Sequence, residues 1–502
     1  MPVFQVPLPP LPPCDGRFAP VRGVVIAAFA VGIALRIAAA GGSLGLDEAW
    51  SLQLAATLPT IGDAFWGLPH DNNHPLNTAA MVALGPDRPV WMYRIHALAF
   101  GGLTILAVAR ALAWRGRVTA AIGAVLAAVT LPFVDFGSEA RGYAGLVLAS
   151  VVAIDGWRRA MDVAGADVAD RPGRRGRWGL AVAAGLGAFC HLAMIVTVAV
   201  LIAATLMQVG LRSRRIGPPL RAATRLFAPT ALALGPAGVA LAVAIRRGGG
   251  FQIGDVDPFT PAKLVTGLGD MVALTLGVPA SPVSPVLALV VLACLAAAVR
   301  RGLLEPPMPA LCAAAFLVLP AALWAAGIPN VGYARYYAVC AIVLVLVLAE
   351  IVGRLWTAGG LGRIWAAAGL GAVLVASLAS DLEAIRVGRS PVPGTLAAMQ
   401  GSGAPIYATG HPRMTALLFG TRSRARLATG SCEVAPEWFI AVGVLDRRPD
   451  GTVTQGDGIC RQGYRVATSF ASNPLSGTQW TLYRRASSGP SRASTVRPGN
   501  GT

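Results

Sequence analysis

Trp178–Gly210 reads WGLAVAAGLGAFCHLAMIVTVAVLIAATLMQVG, 33 residues without a single Asp, Glu, Lys or Arg. A membrane crossing takes about 20 apolar residues, with about 17 as the lower limit. The run is too long for one crossing and fits two short helices broken near Cys190-His191, which carry the chain across and back. The same test applied along the chain picks out 21–40, 94–113, 118–135, 142–157, 224–245, 283–299, 308–327, 335–353 and 364–381. With the two halves of 178–210, the expectation is an all-α polytopic membrane protein of about 11 transmembrane helices.

Composition agrees. Apolar residues make up 55% of the 502 and charged residues 13%, about half the charged share of a soluble domain. Counted with glycine and without tyrosine, the apolar share rises to about 65%, against about 45–50% in soluble domains. So little charge cannot cover so much apolar surface in water, which excludes a cytosolic globular enzyme, a disordered chain and a disulfide-stapled secreted module. The net charge of +18 does not point to nucleic acid. All the basic residues but Lys263 are Arg, and they sit in short clusters between apolar runs.

Those clusters orient the chain. Arg115/Arg117, Arg158/Arg159 with Arg171–Arg177, Arg212–Arg215 with Arg221/Arg225, Arg300/Arg301, and Arg354/Arg363 fall on one side of the eleven crossings. The positive-inside rule makes that side cytoplasmic. The N-terminus then lies inside, the tail after Asp381 lies outside, and the expected location is a bacterial inner membrane. One Arg pair disagrees: Arg246-Arg247 lands outside. Residues 74–85 are too short to span and read as a helix lying on the outer face.

Four regions follow: a disordered cytoplasmic segment 1–20, a membrane domain 21–382 whose outer loop 41–93 is long, an extracytoplasmic α/β domain 383–485, and a disordered tail 486–502. The third shortens its apolar runs to strand length: APIYAT, EWFIAVGVL, YRVATSF and WTLYRR. Cys432 and Cys460 lie in it, and an oxidising compartment would allow them to pair.

The span centres are nearly free of ionisable residues, whereas a transporter would place them there. The polar residues gather instead in the outer connections. Leu46-Asp47-Glu48-Ala49-Trp50-Ser51 sets two carboxylates just beyond the first helix, suited to a general base, a metal ligand or an N-cap. As a cap, Asp47 would start a helix Glu48–Ala56. His70-Asp71-Asn72-Asn73-His74-Pro75-Leu76 offers two His, but Pro75 keeps them off one helix face. Ser138-Glu139-Ala140-Arg141-Gly142-Tyr143 and Tyr333-Ala334-Arg335-Tyr336-Tyr337 each bring an Arg to the outer boundary, where it either snorkels or grips phosphate. His191 sits at the break in 178–210, and Lys263 in the outer loop 247–282.

The order of these segments resembles the GT-C superfamily of integral-membrane glycosyltransferases, closest to the branch of protein O-mannosyltransferases, lipid A aminoarabinose transferases and bacterial families 39 and 83. There an Asp-Glu pair follows the first helix, as Asp47-Glu48 does here. A His-Pro-Pro-Leu-like segment opens a later helix, matched by His74-Pro75-Leu76 with one Pro missing. A Glu-Ala-Arg-Pro-Tyr-like segment follows the third span, matched by Glu139–Tyr143 with Gly142 in the Pro position. A His near a short helix pair matches His191, and a late Arg-Tyr matches Arg335-Tyr336.

The resemblance implies a polyprenyl-phosphate-linked sugar donor and a lipid or glycan acceptor of the cell envelope, with transfer on the outer face and no nucleic acid. It implies Asp47 and Glu48 as catalytic residues and Arg141, Arg335 and Tyr336 around the donor phosphate. His70, His74, Glu139, Tyr143, His191 and Lys263 would position substrate. The resemblance leaves a divalent cation open, which would fall to Asp47, Glu48 and His74, and names no other cofactor. A transporter of lipid-linked sugars, an inactive carrier binder of the same fold, and a membrane-anchored binding module are the alternative readings.

Overall fold

The computed structural model describes residues 19–162, 173–213, 216–252, 256–390, 395, 399, 406–408, 437–442, 464–470, 475 and 480–485. The expected disordered ends and the Cys432/Cys460 pairing lie outside the described residues, apart from Ala19 and Pro20.

The described chain is mostly helical. In order come α1 (Ala19–Ala39), α2 (Leu46–Ala55), α3 (Asp63–Trp66), α4 (Pro75–Leu84), α5 (Val90–Leu112), α6 (Arg117–Val129), α7 (Leu131–Phe136), α8 (Tyr143–Met161) and α9 (Arg174–Cys190). There follow α10 (Met194–Ser213), α11 (Gly217–Arg247), α12 (Pro261–Thr275), α13 (Ser284–Arg300), α14 (Met308–Ala313), α15 (Leu319–Ala326), α16 (Ala338–Ala358) and α17 (Gly360–Val387).

Among the described residues, seven stretches are long and apolar enough to cross a membrane: Val21–Ala39, Val90–Arg115, Met194–Ser213, Gly217–Arg247, Met308–Ala326, Ala334–Ala358 and Gly360–Val387. Segment 118–135, expected as one span, is two helices. Thr130 leaves helical geometry at ψ 121° ahead of Pro132, which divides α6 from α7. The 178–210 run is broken as expected, His191 being extended between α9 and α10 (φ −162°, ψ 132°). Helix α12, inside loop 247–282, is an addition that the hydropathy pattern does not signal.

Helix α16 is buried from Ala338 to Val347, as a helix apolar all round should be. Helix α17 instead exposes Leu361, Trp365 and Val375. Helices α8 and α9 cross where Gly156 and Gly176 meet, each Cα facing the other helix's backbone with no room for a Cβ, the small-residue contact typical of membrane helices.

Ion pairs mark the two ends of the bundle. At one end Arg115 pairs with Glu350 and Glu305, and Arg354 also pairs with Glu305. Trp114 lies between Arg115 and Arg158, their guanidinium carbons 3.7 and 4.5 Å from its ring centre. The opposite end gathers the segment after α1, the 70–75 turn, the Glu139–Tyr143 turn, the α9–α10 break, the start of α16 and the chain leaving α17. Ionisable groups also enter the helices. Arg36 of α1 is fully buried, donating to the Gly32, Ala127 and Ala128 carbonyls, and Glu350 and Asp381 are buried too.

Four strands, β1 (Ile406–Ala408), β2 (Trp438–Val442), β3 (Tyr464–Phe470) and β4 (Trp480–Arg485), form one sheet in the order β1-β2-β4-β3. β1 and β2 are parallel and the other pairs antiparallel. Trp438, Ile440 and Leu482 on one sheet face share an apolar core with Ala49, Leu52 and Ala55 of α2. The sheet therefore covers the helix that carries Asp47 and Glu48.

Candidate active site

Helix α2 begins at Leu46, with Gly45 as its N-cap, and its cap is built by Glu48 rather than Asp47. Glu48 Oε2 accepts from the Gly45 N–H at 2.7 Å, the reach-back of a capping box. The same carboxylate is gripped bidentately by Arg94, Nε to Oε1 at 2.8 Å and Nη2 to Oε2 at 2.6 Å, and Oε1 also accepts from the Ala140 N–H at 2.6 Å. Arg94 further donates to the carbonyls of Ala40 at 2.7 Å and Ser43 at 3.0 Å. Both side chains are sealed from solvent. Burial pushes the Glu48 carboxyl up, but Arg94, Arg389 and the Ala140 N–H outweigh it and hold the group down at about 2. Glu48 thus ties the end of α1, the start of α2, α5 and the 138–143 turn into one piece.

With Glu48 sealed against Arg94, Asp47, one position earlier on the helix, points about 100° away and takes different partners. Its Oδ2 receives Arg335 Nη1 at 2.5 Å and Arg141 Nη1 at 3.0 Å. Two guanidinium groups from segments 194 residues apart (335 − 141) meet on one carboxylate oxygen. Asn72 braces the arrangement. Its Oδ1 accepts from Arg141 Nη2 at 3.0 Å, and its Nδ2 donates to the Asp47 carbonyl and to Ser51 Oγ, both at 3.1 Å. Glu139 Oε1 lies 3.4 Å from the same Arg141 Nη1.

Burial raises the Glu139 carboxyl to about 7 even though Arg141 and Arg389 pull it down. A carboxyl raised on folding stabilises the fold below its ordinary pKa near 4.5, and that contribution is lost as pH rises through about 7. His191, held down near 3, changes stability in the opposite direction between pH 3 and 6.5, so only a difference between variants isolates Glu139. Thermal unfolding of Glu139→Gln against the unsubstituted protein should show a stability gap that grows from pH 4.5 to 7 in favour of the variant. A gap independent of pH would reject the raised carboxyl.

A ring cluster adjoins the charged centre. His74, the N-cap of α4 with Pro75 at the first helical position, stacks on His191 at 4.4 Å between ring centres, and Tyr143 lies 4.3 Å from His191. Gly142, in the position that is Pro in the resembling family, permits this: a Cβ there would collide with the Cys190 carbonyl oxygen. His191 Nδ1 accepts from the Ala193 N–H at 3.0 Å. Its Nε2 and both nitrogens of His74 are buried without a hydrogen-bond partner among the described residues. Burial, then the neighbouring His191, Arg141 and Arg335, holds His74 well below the usual histidine range. Both rings are neutral at pH 7.

The remaining expected residues sit around this centre. Tyr336 is partly exposed, with Arg335 5.9 Å above its ring. His70 lies 5.0 Å from Trp50 between ring centres, and its turn is pinned by the Asp71 N–H donating to the Gln252 carbonyl at 2.9 Å. Lys263 is drawn aside, ion-paired with Asp257 and donating to the Pro258 carbonyl at 3.0 Å. Asp47, Glu48 and His74 do not make one ligand set: the Glu48 oxygens are taken up by Arg94 and two backbone N–H groups, and Asp47 faces two cations. Among the described residues no three His, Cys, Asp or Glu side chains are placed to hold a metal. The motif pattern singles out neither Arg94 nor Asn72 for a role. The outward position of Arg94, against the positive-inside pattern, is the signal available for it.

No family model matches the sequence, and no curated protein does. Among solved structures, the chain is similar to ArnT from Cupriavidus metallidurans bound to undecaprenyl phosphate, at 15% identity over 94% of this chain and 99% of that one, TM-score 0.47. It is also similar to the Archaeoglobus fulgidus oligosaccharyltransferase tethered with an acceptor peptide, at 14% identity and TM-score 0.41. That match covers 72% of this chain, which spans about half (55%) of the archaeal protein's length.

Proposed function

We propose that this chain is a membrane glycosyltransferase that moves a sugar from a polyprenyl-phosphate-linked donor to a cell-envelope acceptor at the outer face of an eleven-crossing membrane domain. The observation that carries the reading is the Asp47 carboxylate held between Arg141 and Arg335. Two forked cations at one point are a phosphate site, and the carboxylate between them is a base kept in place until a phosphate arrives. A donor phosphate that engages both guanidinium groups neutralises them and releases Asp47 from its ion pairs.

In the transfer step the acceptor hydroxyl oxygen forms a bond to the anomeric carbon while its proton passes to Asp47. The bond from that carbon to the phosphate oxygen breaks, and its electron pair leaves with the polyprenyl phosphate, where Arg141 and Arg335 stabilise the added charge. Attack opposite the leaving group inverts the anomeric configuration. His74, His191 and Tyr143, packed together beside the charged centre, would shape the space in which the sugar is positioned. Glu48 acts by holding α2.

The test is transfer by the full chain reconstituted in liposomes, with mass spectrometry of envelope glycolipids from cells with and without the gene; identical glycolipids and no transfer would overturn the reading. Arg141→Ala and Arg335→Ala should each weaken polyprenyl-phosphate binding by about ten- to a hundred-fold, the worth of a charge-assisted hydrogen bond. Unchanged affinity in both variants would remove the phosphate clamp.

A further inference from the structure

Arg389 lies just beyond α17, on the chain that leads toward the outer sheet. Its side chain is buried, and a single nitrogen, Nη2, makes three contacts: the Asp135 carbonyl at 2.8 Å, Ser138 Oγ at 2.7 Å and Asp135 Oδ1 at 2.8 Å. Asp135 is the penultimate residue of α7, and Ser138 immediately precedes Glu139. The Arg389 carbonyl also lies beside Gly45, the N-cap of α2, where a Cβ would sit 3.5 Å from it. One arginine thus touches the segment that presents Arg141 and borders the start of the helix that presents Asp47.

We propose that Arg389 is a positioning residue of the site, fixing the Ser138–Tyr143 turn so that Arg141 meets Asp47 and the donor phosphate. The inference rests on the donor-phosphate reading given above. It follows from where Arg389 holds that turn, at its leading end against α7. Its backbone bonds are local: Ser138 N–H to the Asp135 carbonyl at 3.1 Å and Arg141 N–H to the Glu139 carbonyl at 2.7 Å. Its long-range anchors include Ala140 on Glu48, Arg141 on Asn72 and Asp47, the Arg141 backbone on His96, Tyr143 on His191, and Arg389 on Ser138 and Asp135. Removing Arg389 frees the leading end of the turn and leaves Asp135 buried without this partner.

Arg389 also sets the charge on the turn. Glu139 faces Arg141 and Tyr143 on its own segment, Asp135 on α7, Glu48 on α2, Arg335 ahead of α16, and Arg389. An ionised Glu139 competes with phosphate for Arg141, so affinity for phosphate falls as Glu139 ionises. Without the Arg389 charge, that ionisation moves to higher pH.

The experiment is undecaprenyl phosphate binding to the purified full chain across pH 5–9, with melting temperature recorded. Arg389→Gln should raise the Kd by about ten- to a hundred-fold, as loss of an outer contact that orients a binding group does. Its Glu139-linked loss of affinity should move to higher pH than in the unsubstituted protein. Arg389→Lys, which keeps the charge and loses the fork, should bind weakly without that shift. Glu139→Gln lacks the titrating group. Introduced into both the unsubstituted protein and the Arg389→Gln variant, it should abolish the difference in pH dependence between them. If Arg389→Gln does not fold, Asp135→Asn/Arg389→Gln removes both buried charges together and should show the same loss of affinity. Unsubstituted affinity in the folded variant, or an equal loss at every pH in the Arg389→Gln and Arg389→Lys variants, would overturn the positioning role alone. No binding by the unsubstituted protein would overturn the donor-phosphate reading and this inference with it.

Discussion

Asp47→Asn should abolish sugar transfer while leaving the protein folded and able to bind polyprenyl phosphate. The amide has the carboxylate's shape and its oxygen still accepts a hydrogen bond from a guanidinium, so the Arg141 and Arg335 side chains keep a partner at the same place. What disappears is the ability to take a proton. General-base assistance contributes about a hundred- to ten-thousand-fold, and transfer should fall by that factor. Binding should hold or tighten, because the anion that competes with phosphate for the two cations is gone. The separation of the two readouts is the discriminating feature: a mere structural ion pair at this point would lose binding and stability together. Transfer above about a tenth of the unsubstituted rate would remove Asp47 from the role of base.

The sequence carried the mostly helical, multi-span character, because span length is a coarse quantity, but against the eleven crossings it predicts, seven stretches of spanning length stand among the described residues. An apolar run of 33 residues cannot be one crossing, and the chain does break at His191. The four strands also fall inside the four short apolar runs of the tail. Hydropathy failed where backbone chemistry decided. It merged α6 with α7 across the Thr130–Pro132 break, and it passed over α12, which lies within the loop that carries the lone lysine.

The candidate site was visible as a set of outward charges, yet its internal division of labour was not. Asp47 and Glu48 are adjacent and of one chemistry, so the sequence alone paired them. Their separation depends on the turn of α2, which points one carboxylate at Arg94 and the other at Arg141 and Arg335. Arg94 itself was hidden as the first residue of an apolar span. Lys263, singled out for its rarity, is neutralised locally by Asp257; rarity in composition carries no information about what lies next to a side chain.

Glu48→Gln should be the damaging partner of the pair for stability. The Glu48–Arg94 pair is fully buried, and each carboxylate oxygen also accepts from a backbone N–H. Replacing the carboxylate with an amide strands the Arg94 charge and turns an NH2 group toward donors, a change that costs about 3–5 kcal/mol in a buried pair. The variant should melt well below the unsubstituted protein and extract poorly from the membrane. Glu48→Gln/Arg94→Met removes both charges and should regain a measurable part of that loss, since the two effects share one interaction and are not additive. It should not regain transfer, because Arg94 also holds the Ala40 and Ser43 carbonyls that fix the entry to α2. Acid does not reproduce the substitution at moderate pH. With the carboxyl held at about 2, its contribution is present above the ordinary pKa of 4.5 and fades only as pH falls toward 2. A single variant that melts like the unsubstituted protein, with transfer lost, would move Glu48 from holding α2 to the chemistry itself. Asp47 and Glu48 would then act as two carboxylates in one step, the arrangement that their separate cation partners argue against.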